Sequence, residues 1–303
     1  MLEQLGFNPD DRAIIVNADD FGISHSTNQA IISLFHKGSI TSASLMVPCS
    51  AANEAADLCS KSNNSNVNVG IHLTLTSSES DSYRPVFQDF PLRSLVTDDG
   101  FFPTDPALIE KKAKPEEVRI ELEAQIVKAL SMGIDVTHLD SHAGTVMGVY
   151  AGRDFLEMVF DLCEKYELPF NLPLRIVEQP FFSKNLIRLF EQRIQSAKRR
   201  GILLIDDLIT LPYHLDTEES YSDMRDDVIR KIQTCKPGIT QIVAHPAIVT
   251  DELKRLTPHF VKRELEYQLF NDPEVKQVLH SEGIHLISWR EIRDLQRSMY
   301  SNF

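Results

Sequence analysis

The side chains able to do chemistry in this chain sit where apolar runs end. Ile14-Ile15-Val16 leads into Asn17-Ala18-Asp19-Asp20-Phe21-Gly22, two adjacent carboxylates followed by a Phe-Gly turn. Two like charges side by side are costly unless a proton or a cation neutralises one, and a bound metal ion would let both stay ionised. His72, Asp140 with His142, Arg175, Asp206 with Asp207, and His245 close other apolar runs in the same way. One Asp and two His from separate strand ends suit a metal ion, with three protein ligands and open positions for water and substrate. Such an ion lowers the pKa of water from 15.7 to about 7. An adjacent carboxylate can then accept the water's proton, and an acid on the far side can protonate the leaving group. Taken singly, each residue has a plainer reading: Asp20 as a helix cap, His72 as a satisfied strand histidine, His245 before Pro246 as a strand-end residue.

The elements that must position these groups alternate strand and helix. Eight short apolar runs read as strands, ending in or containing Ile14–Val16, Ser39–Val47, Val69–Thr76, Asp135–Asp140, Leu172–Val177, Ile202–Asp206, Thr240–His245 and Ile284–Ser288. The first is expected to stop at the acids, leaving Asp19 and Asp20 in a strand-to-helix loop, with Ser26 as N-cap and Gln29 completing a capping box. In the third, Val69, Ile71, Leu73 and Leu75 share one face while Gly70, His72, Thr74 and Thr76 share the other. Helices are expected near Thr27–Lys37, Ser50–Ser60, Glu116–Met132, Gly152–Tyr166, Lys184–Arg199, Glu218–Cys235, Val261–Leu269 and Arg290–Arg297. This order predicts an α/β protein with a parallel sheet, and at this length a single-domain (β/α) barrel over 1–303, with a doubly wound open sheet as the alternative. In a barrel the strand ends converge on one face, so residues distant in sequence meet. A segment at about 77–114, rich in Ser, Asp, Pro and Phe, reads as an inserted lid or binding loop. Its aromatics Tyr83, Phe87, Phe90, Phe101 and Phe102 are expected to pin it down, with stacking on a sugar as the other reading.

Bulk properties narrow the partners. The 303 residues are 42% hydrophobic and carry a formal net charge of −13. An acidic chain argues against nucleic acid or an anionic membrane as partner, since both select a basic face. Cys49, Cys59, Cys163 and Cys235 are scattered with no CxxC pair, as in a reducing compartment. With neither a signal-peptide pattern at the N-terminus nor a membrane-length apolar run, the expectation is a soluble cytoplasmic protein. Asp20-Phe21-Gly22 lacks the other kinase motifs, His138 and His142 lack the Glu of a zincin, and no Gly-x-Ser-x-Gly elbow occurs.

Asn17-Ala18-Asp19-Asp20-Phe21-Gly22, Gly70-Ile71-His72-Leu73-Thr74-Leu75-Thr76 and Thr137-His138-Leu139-Asp140-Ser141-His142 occur in this order with fitting gaps. Together with Leu95–Phe102, Arg175 and Ala244-His245-Pro246 they resemble the YdjC-like carbohydrate deacetylases, which include the chitooligosaccharide deacetylases. The resemblance implies a distorted TIM-like (β/α) barrel, often a homodimer, that removes an acetyl group from an N-acetylated sugar. It implies Asp20, His72 and His142 as ligands of one divalent metal ion, Asp19 as general base, His245 as general acid, and Arg175 as the residue orienting Asp19. Two imidazoles and a carboxylate can hold Zn, Mn, Co, Fe or Ni, with Mg less favoured by imidazole. Two departures from the family pattern stand out. Ala143-Gly144-Thr145-Val146 follows Asp-Ser-His where further histidines are common, and Leu208-Ile209-Thr210-Leu211 replaces an aromatic-Gly ending. A phosphoester hydrolase and a non-catalytic sugar-binding protein are the rival readings.

Overall fold

β-Branched runs become buried strands, and their alternation sorts side chains between two environments. A computed structural model describes residues 1–62, 67–214, 220–281 and 283–300. The strands are β1 (Arg12–Phe21), β2 (Ser42–Leu45), β3 (Val69–Leu73), β4 (Leu139–Ser141), β5 (Asp207–Thr210), β6 (Gly238–Ala244) and β7 (Ile284–Leu286). The helices are α1 (His25–His36), α2 (Ala52–Lys61), α3 (Pro106–Lys112), α4 (Pro115–Ser131), α5 (Leu156–Tyr166), α6 (Lys184–Arg199), α7 (Tyr221–Thr234), α8 (Asp251–Leu256), α9 (Phe260–Leu269), α10 (Pro273–Leu279) and α11 (Trp289–Tyr300). All strand pairs are parallel, in the order β4-β3-β2-β1-β6-β5, with β7 beside the first half of β1 on the edge that β2 takes along the second half. No described helix is long and apolar enough to cross a membrane.

Along β1, Ile14, Val16 and Ala18 join the main core, whereas Ala13 and Ile15 pack with Ile205, Ile239, Ile287 and Trp289 in a smaller cluster. Asn17 and Asp19 continue the second face and are buried. The curled sheet is therefore plugged with hydrocarbon towards the strand N-termini and lined with polar groups towards their C-termini, where ligands bind in folds of this kind. Trp289 seals the lower end, its Nε1 donating to Gln241 Oε1 at 2.7 Å.

The distorted barrel expected from the sequence is present, a single α/β domain with a parallel sheet forming a curled half-barrel. Two expected strands differ. Leu172–Val177 is not a strand but irregular chain ending in a 3₁₀ turn over Leu174–Glu178. Pro173 removes one ladder donor, and the segment bonds only intermittently. Asn171 N donates to the Leu139 carbonyl (2.9 Å), while Leu174 N and Arg175 N donate to the carbonyls of Ile205 (2.9 Å) and Asp206 (3.0 Å). These bonds continue the wall from β4 towards β5. The expected strand Ile202–Asp206 is likewise displaced: the paired stretch starts where that run ends, at Asp207.

The expected insertion contains α3 and is otherwise irregular, but it is tied down. Glu121 of α4 accepts from Val86 N (2.9 Å) and Phe87 N (3.0 Å), and Glu117 accepts from Ser94 N (2.7 Å). Phe102 and Tyr83 are buried, and Phe102 N donates to the Tyr83 carbonyl at 2.8 Å.

Candidate active site

The two acids do not lie in a loop after β1, as expected, but inside the strand. Pairing with β2 passes from Ala18↔Ala43 to Phe21↔Leu45, so β1 carries one surplus residue there. Asp20 takes up the strain with φ 64°, a conformation that non-glycine residues seldom adopt. This bulge turns two consecutive carboxylates into the same cavity, which regular alternation forbids. Helix α1 then starts from Ser24 rather than the expected Ser26, with Ser24 Oγ accepting from Thr27 N at 3.1 Å.

Each acid has one oxygen fixed and one left towards the cavity. Asp19 Oδ1 accepts from Asn17 Nδ2 (2.6 Å) and Ser44 Oγ (3.1 Å), and its Oδ2 lies 3.8 Å from His72 Nε2 and 3.9 Å from His245 Nε2. Asp20 Oδ2 accepts from Arg263 Nη2 at 2.5 Å, and its Oδ1 lies 3.7 Å from His72 Nε2 and 3.6 Å from His142 Nδ1. One ligand atom each from Asp20, His72 and His142 falls within 4.8 Å of the others. Donors bound at about 2.1 Å in a tetrahedral shell stand about 3.4 Å apart, so the set fits one divalent cation. His72 Nδ1 sits 2.6 Å from Asp140 Oδ1, which fixes the ring and leaves Nε2 as the ligating atom. A second Asp19–His72–Asp140 grouping also lies within 4.8 Å, but there Asp140 approaches the Nδ1 edge that this bond already occupies. His138 is buried behind Asp140, stacked on Trp289 with ring centroids 4.7 Å apart.

A family model described as YdjC-like protein matches residues 13–281. The chain belongs to the YdjC-like family. It is 30% identical over 302 residues to a carbohydrate deacetylase of Thermus thermophilus (97% of this chain, 98% of that one). It is 30% identical over 279 residues to a carbohydrate deacetylase of Brevibacillus brevis (92% and 99%). Among solved structures it is similar to an Enterococcus faecalis protein named "putative cellobiose-phosphate cleavage protein", with TM-score 0.74, 25% identity, and 93% and 99% of the two chains covered.

In this YdjC-like chain the expected site residues separate into two groups. Asp19, Asp20, His72, His142 and His245 line one cavity of about 670 Å³. Arg175 does not join them. Its Nη2 donates to the Pro237 carbonyl (2.6 Å) and its Nη1 reaches Asp207 (3.4 Å), just before β6 and at the start of β5. The displaced strand explains this. Asp206 and Asp207, expected at a strand's C-terminal end, stand just before and at the start of β5 instead, so they and Arg175 gather at the opposite mouth.

The cation beside the paired acids is Arg263, on α9, which the sequence reading missed along with Glu266 on the same helix. Both are almost fully buried. Glu266 Oε2 accepts from His245 N at 2.5 Å and lies 3.9 Å from His245 Nδ1, so α9 steadies His245 from behind. Nothing in the polar pattern of α9 distinguishes these residues from a solvated face.

Burial and charge set the protonation states. Burial pushes the Asp19 carboxyl up to about 6, with the Asp140 charge adding to it against the opposing pull of His72. Burial would also raise Asp20, but the Arg263 guanidinium and His142 hold it well below the usual carboxylate range. Burial would lower His72, yet the Asp140 and Asp19 carboxylates raise it to about 10. Burial lowers both His142 and His245, and the nearby carboxylates offset this only in part. The pocket thus combines an ionised Asp20, a carboxyl at Asp19 that titrates within reach of neutral pH, and a neutral imidazole at His245.

Proposed function

We propose that the protein is a metal-dependent hydrolase that removes the acetyl group from an N-acetylated sugar of chitooligosaccharide type. The observation that carries this reading is the convergence of Asp20, His72 and His142 within 4.8 Å, with the free oxygen of Asp19 beside them. Relatives named carbohydrate deacetylase, aligned over nearly the whole chain, support the substrate class.

A divalent cation held by Asp20, His72 and His142 supplies Lewis acidity, making water nucleophilic near neutral pH and polarising the amide carbonyl. Asp19 Oδ2 is the proton acceptor, presented by the hydrogen bonds that Asn17 and Ser44 give to its other oxygen. Arg263 holds the outer oxygen of Asp20 and so leaves Oδ1 for the shared position. His245, 3.9 Å from Asp19 Oδ2, is the acid that protonates the departing amine. Because burial keeps His245 neutral, its proton has to arrive during turnover, and Asp19 is a source within reach. Acetate and a free amino sugar are the products.

The test is acetate release from N-acetylated mono- and disaccharides, with divalent cations and with chelator, for the wild type and Asp19→Asn. Cation-dependent acetate is expected, falling by about 10²–10⁴ in the variant while bound metal is retained. Phosphate release from phosphoesters without acetate would make the chain a phosphoester hydrolase. Sugar binding that persists in chelator without turnover would make it a binding protein.

A further inference from the structure

An aromatic ring left open to water inside a reactive cavity is apolar surface that a ligand can cover. The insertion supplies no such ring: of its five aromatics only Tyr83 lines the cavity, and it is buried. Tyr213 does supply one. It lies just after β5, is 43% exposed, and lines the cavity that holds Asp19, Asp20 and His72.

The ring is held in place by its neighbours. Its hydroxyl accepts from Arg263 Nη2 at 3.2 Å, the same guanidinium that binds Asp20. It stands perpendicular to His245 (87°, centroids 5.5 Å apart) and steeply inclined to His259 (68°, 4.9 Å). With the hydroxyl engaged, what Tyr213 turns to the cavity is mostly ring carbon. Leu256 and Pro258, just before His259, line the same cavity and extend this apolar wall. Burial lowers the His259 pKa, with His214 and Arg263 adding to the effect, so its imidazole is uncharged at neutral pH.

The position of the ring matters because His245 is the acid for the departing amine. The nitrogen that it protonates is bonded to the sugar, so the sugar ring stands on the His245 side of the cation position, beside Tyr213. Tyr150, also exposed and also lining the cavity, is placed differently. Its Oη donates to the carbonyl of Ala143, next to His142, at 2.7 Å, and it also borders a separate surface groove. A pyranose is polar around its rim, but its axial C–H bonds form an apolar, slightly positive face that complements the negative face of a tyrosine ring.

We propose that Tyr213 is a specificity-determining residue, its ring the platform on which the pyranose bearing the reacting acetamido group stacks. This inference rests on the deacetylase reading, with His245 as the acid. Tyr213 itself moves no proton in the reaction.

The experiment compares metal-loaded wild type with Tyr213→Leu and Tyr213→Phe. It measures kcat and KM for acetate release from N,N′-diacetylchitobiose. It also measures calorimetric affinity for that sugar in the slow Asp19→Asn background, together with melting temperature. Tyr213→Leu is expected to lower kcat/KM about tenfold, mainly through KM, with a parallel loss in affinity. Tyr213→Phe keeps the ring and loses only the bond to Arg263, so it should recover most of that loss. Melting temperatures should stay level, because the residue is exposed. Unchanged KM and affinity in Tyr213→Leu would overturn the proposal. Equal losses in both variants would also overturn it by assigning the effect to the hydroxyl, and a loss confined to kcat would do so by assigning it to support of His245. Losses that track a fall in melting temperature would mark a purely structural role and overturn it too. Wild-type enzyme that binds the sugar but releases no acetate would overturn the hydrolytic reading alone, and the affinity comparison would still decide this one. Wild type that neither binds nor turns over the sugar would overturn both.

Discussion

At the scale of single residues, function depends on how each carboxylate is held. Asp19 must be ionised to accept a proton, and burial has moved it up to about 6. The acid limb of kcat/KM is therefore expected at about pH 6, or lower once a bound cation adds positive charge, with activity falling about tenfold per pH unit below it. A pH profile on metal-loaded protein checks this, and a limb above pH 7 would assign the proton acceptor elsewhere. Asp20 is stabilised in the opposite sense. Its pKa is depressed, so its pairing with Arg263 contributes stability above the ordinary carboxylate pKa and loses it as pH falls through the lower folded value. Arg263→Gln leaves a buried carboxylate without its cation and should cost the metal-free protein about 3–5 kcal/mol. Divalent metal should recover part of that loss, so the variant's melting temperature should respond to metal more than the wild type's. Equal responses would separate Arg263 from the metal position.

At the scale of elements, the site depends on how closely β3 and β4 approach. A Cβ added at Gly70 would stand 2.3 Å from His138 Nδ1 and 2.6 Å from the His138 carbonyl oxygen. The backbone cannot yield there without parting the ladder that places His72 opposite Asp140. Gly70→Ala is expected to destabilise by about 1–3 kcal/mol or more and to weaken metal binding with it, as urea denaturation and metal titration would show. A variant as stable as wild type would mean that the strands can separate at no cost. The same elements show how far sequence reasoning reaches. Strands β1, β3 and β6 were legible because their apolar runs and alternation are local properties, and the helix Lys184–Arg199 is found with its expected limits. The His72 face was legible for the same reason. Arg175 was misplaced because an apolar run does not reveal which residue of it pairs, and shifting the strand to Asp207 moved its polar end to the other mouth of the barrel. Arg263 and Glu266 were invisible because burial of a polar helix face is decided by what the helix packs against. The bulge in β1 depends on its pairing with β2, which the local sequence does not contain.

At the scale of the whole molecule, the cation and the fold are linked. Without metal, His72 keeps its proton up to about pH 10 through its carboxylate partners. This raised pKa gives stability that is complete below the ordinary value of 6.5 and is lost as pH climbs through about 10. A ligating Nε2 must be unprotonated, so metal uptake releases a proton and apparent affinity should rise with pH across that window. At a free cation concentration of 100 times Kd the folded state gains about 2.7 kcal/mol. At one fixed metal concentration, the rise in melting temperature should therefore be larger at pH 8.5 than at pH 7. A shift independent of pH in that range would show that His72 does not exchange a proton for the metal.

The surplus residue in β1 also bears on how such a site could be gained or lost. Asp19 and Asp20 are the only residues between Ala18 and Phe21, so a chain one residue shorter there would regain even alternation with a single acid in place of the pair. The hydrophobic pairing on either side would stay as it is. Loss of chemistry by a single-codon deletion, with the barrel left standing, is thus open to this scaffold, and reinsertion of that codon is the matching way back.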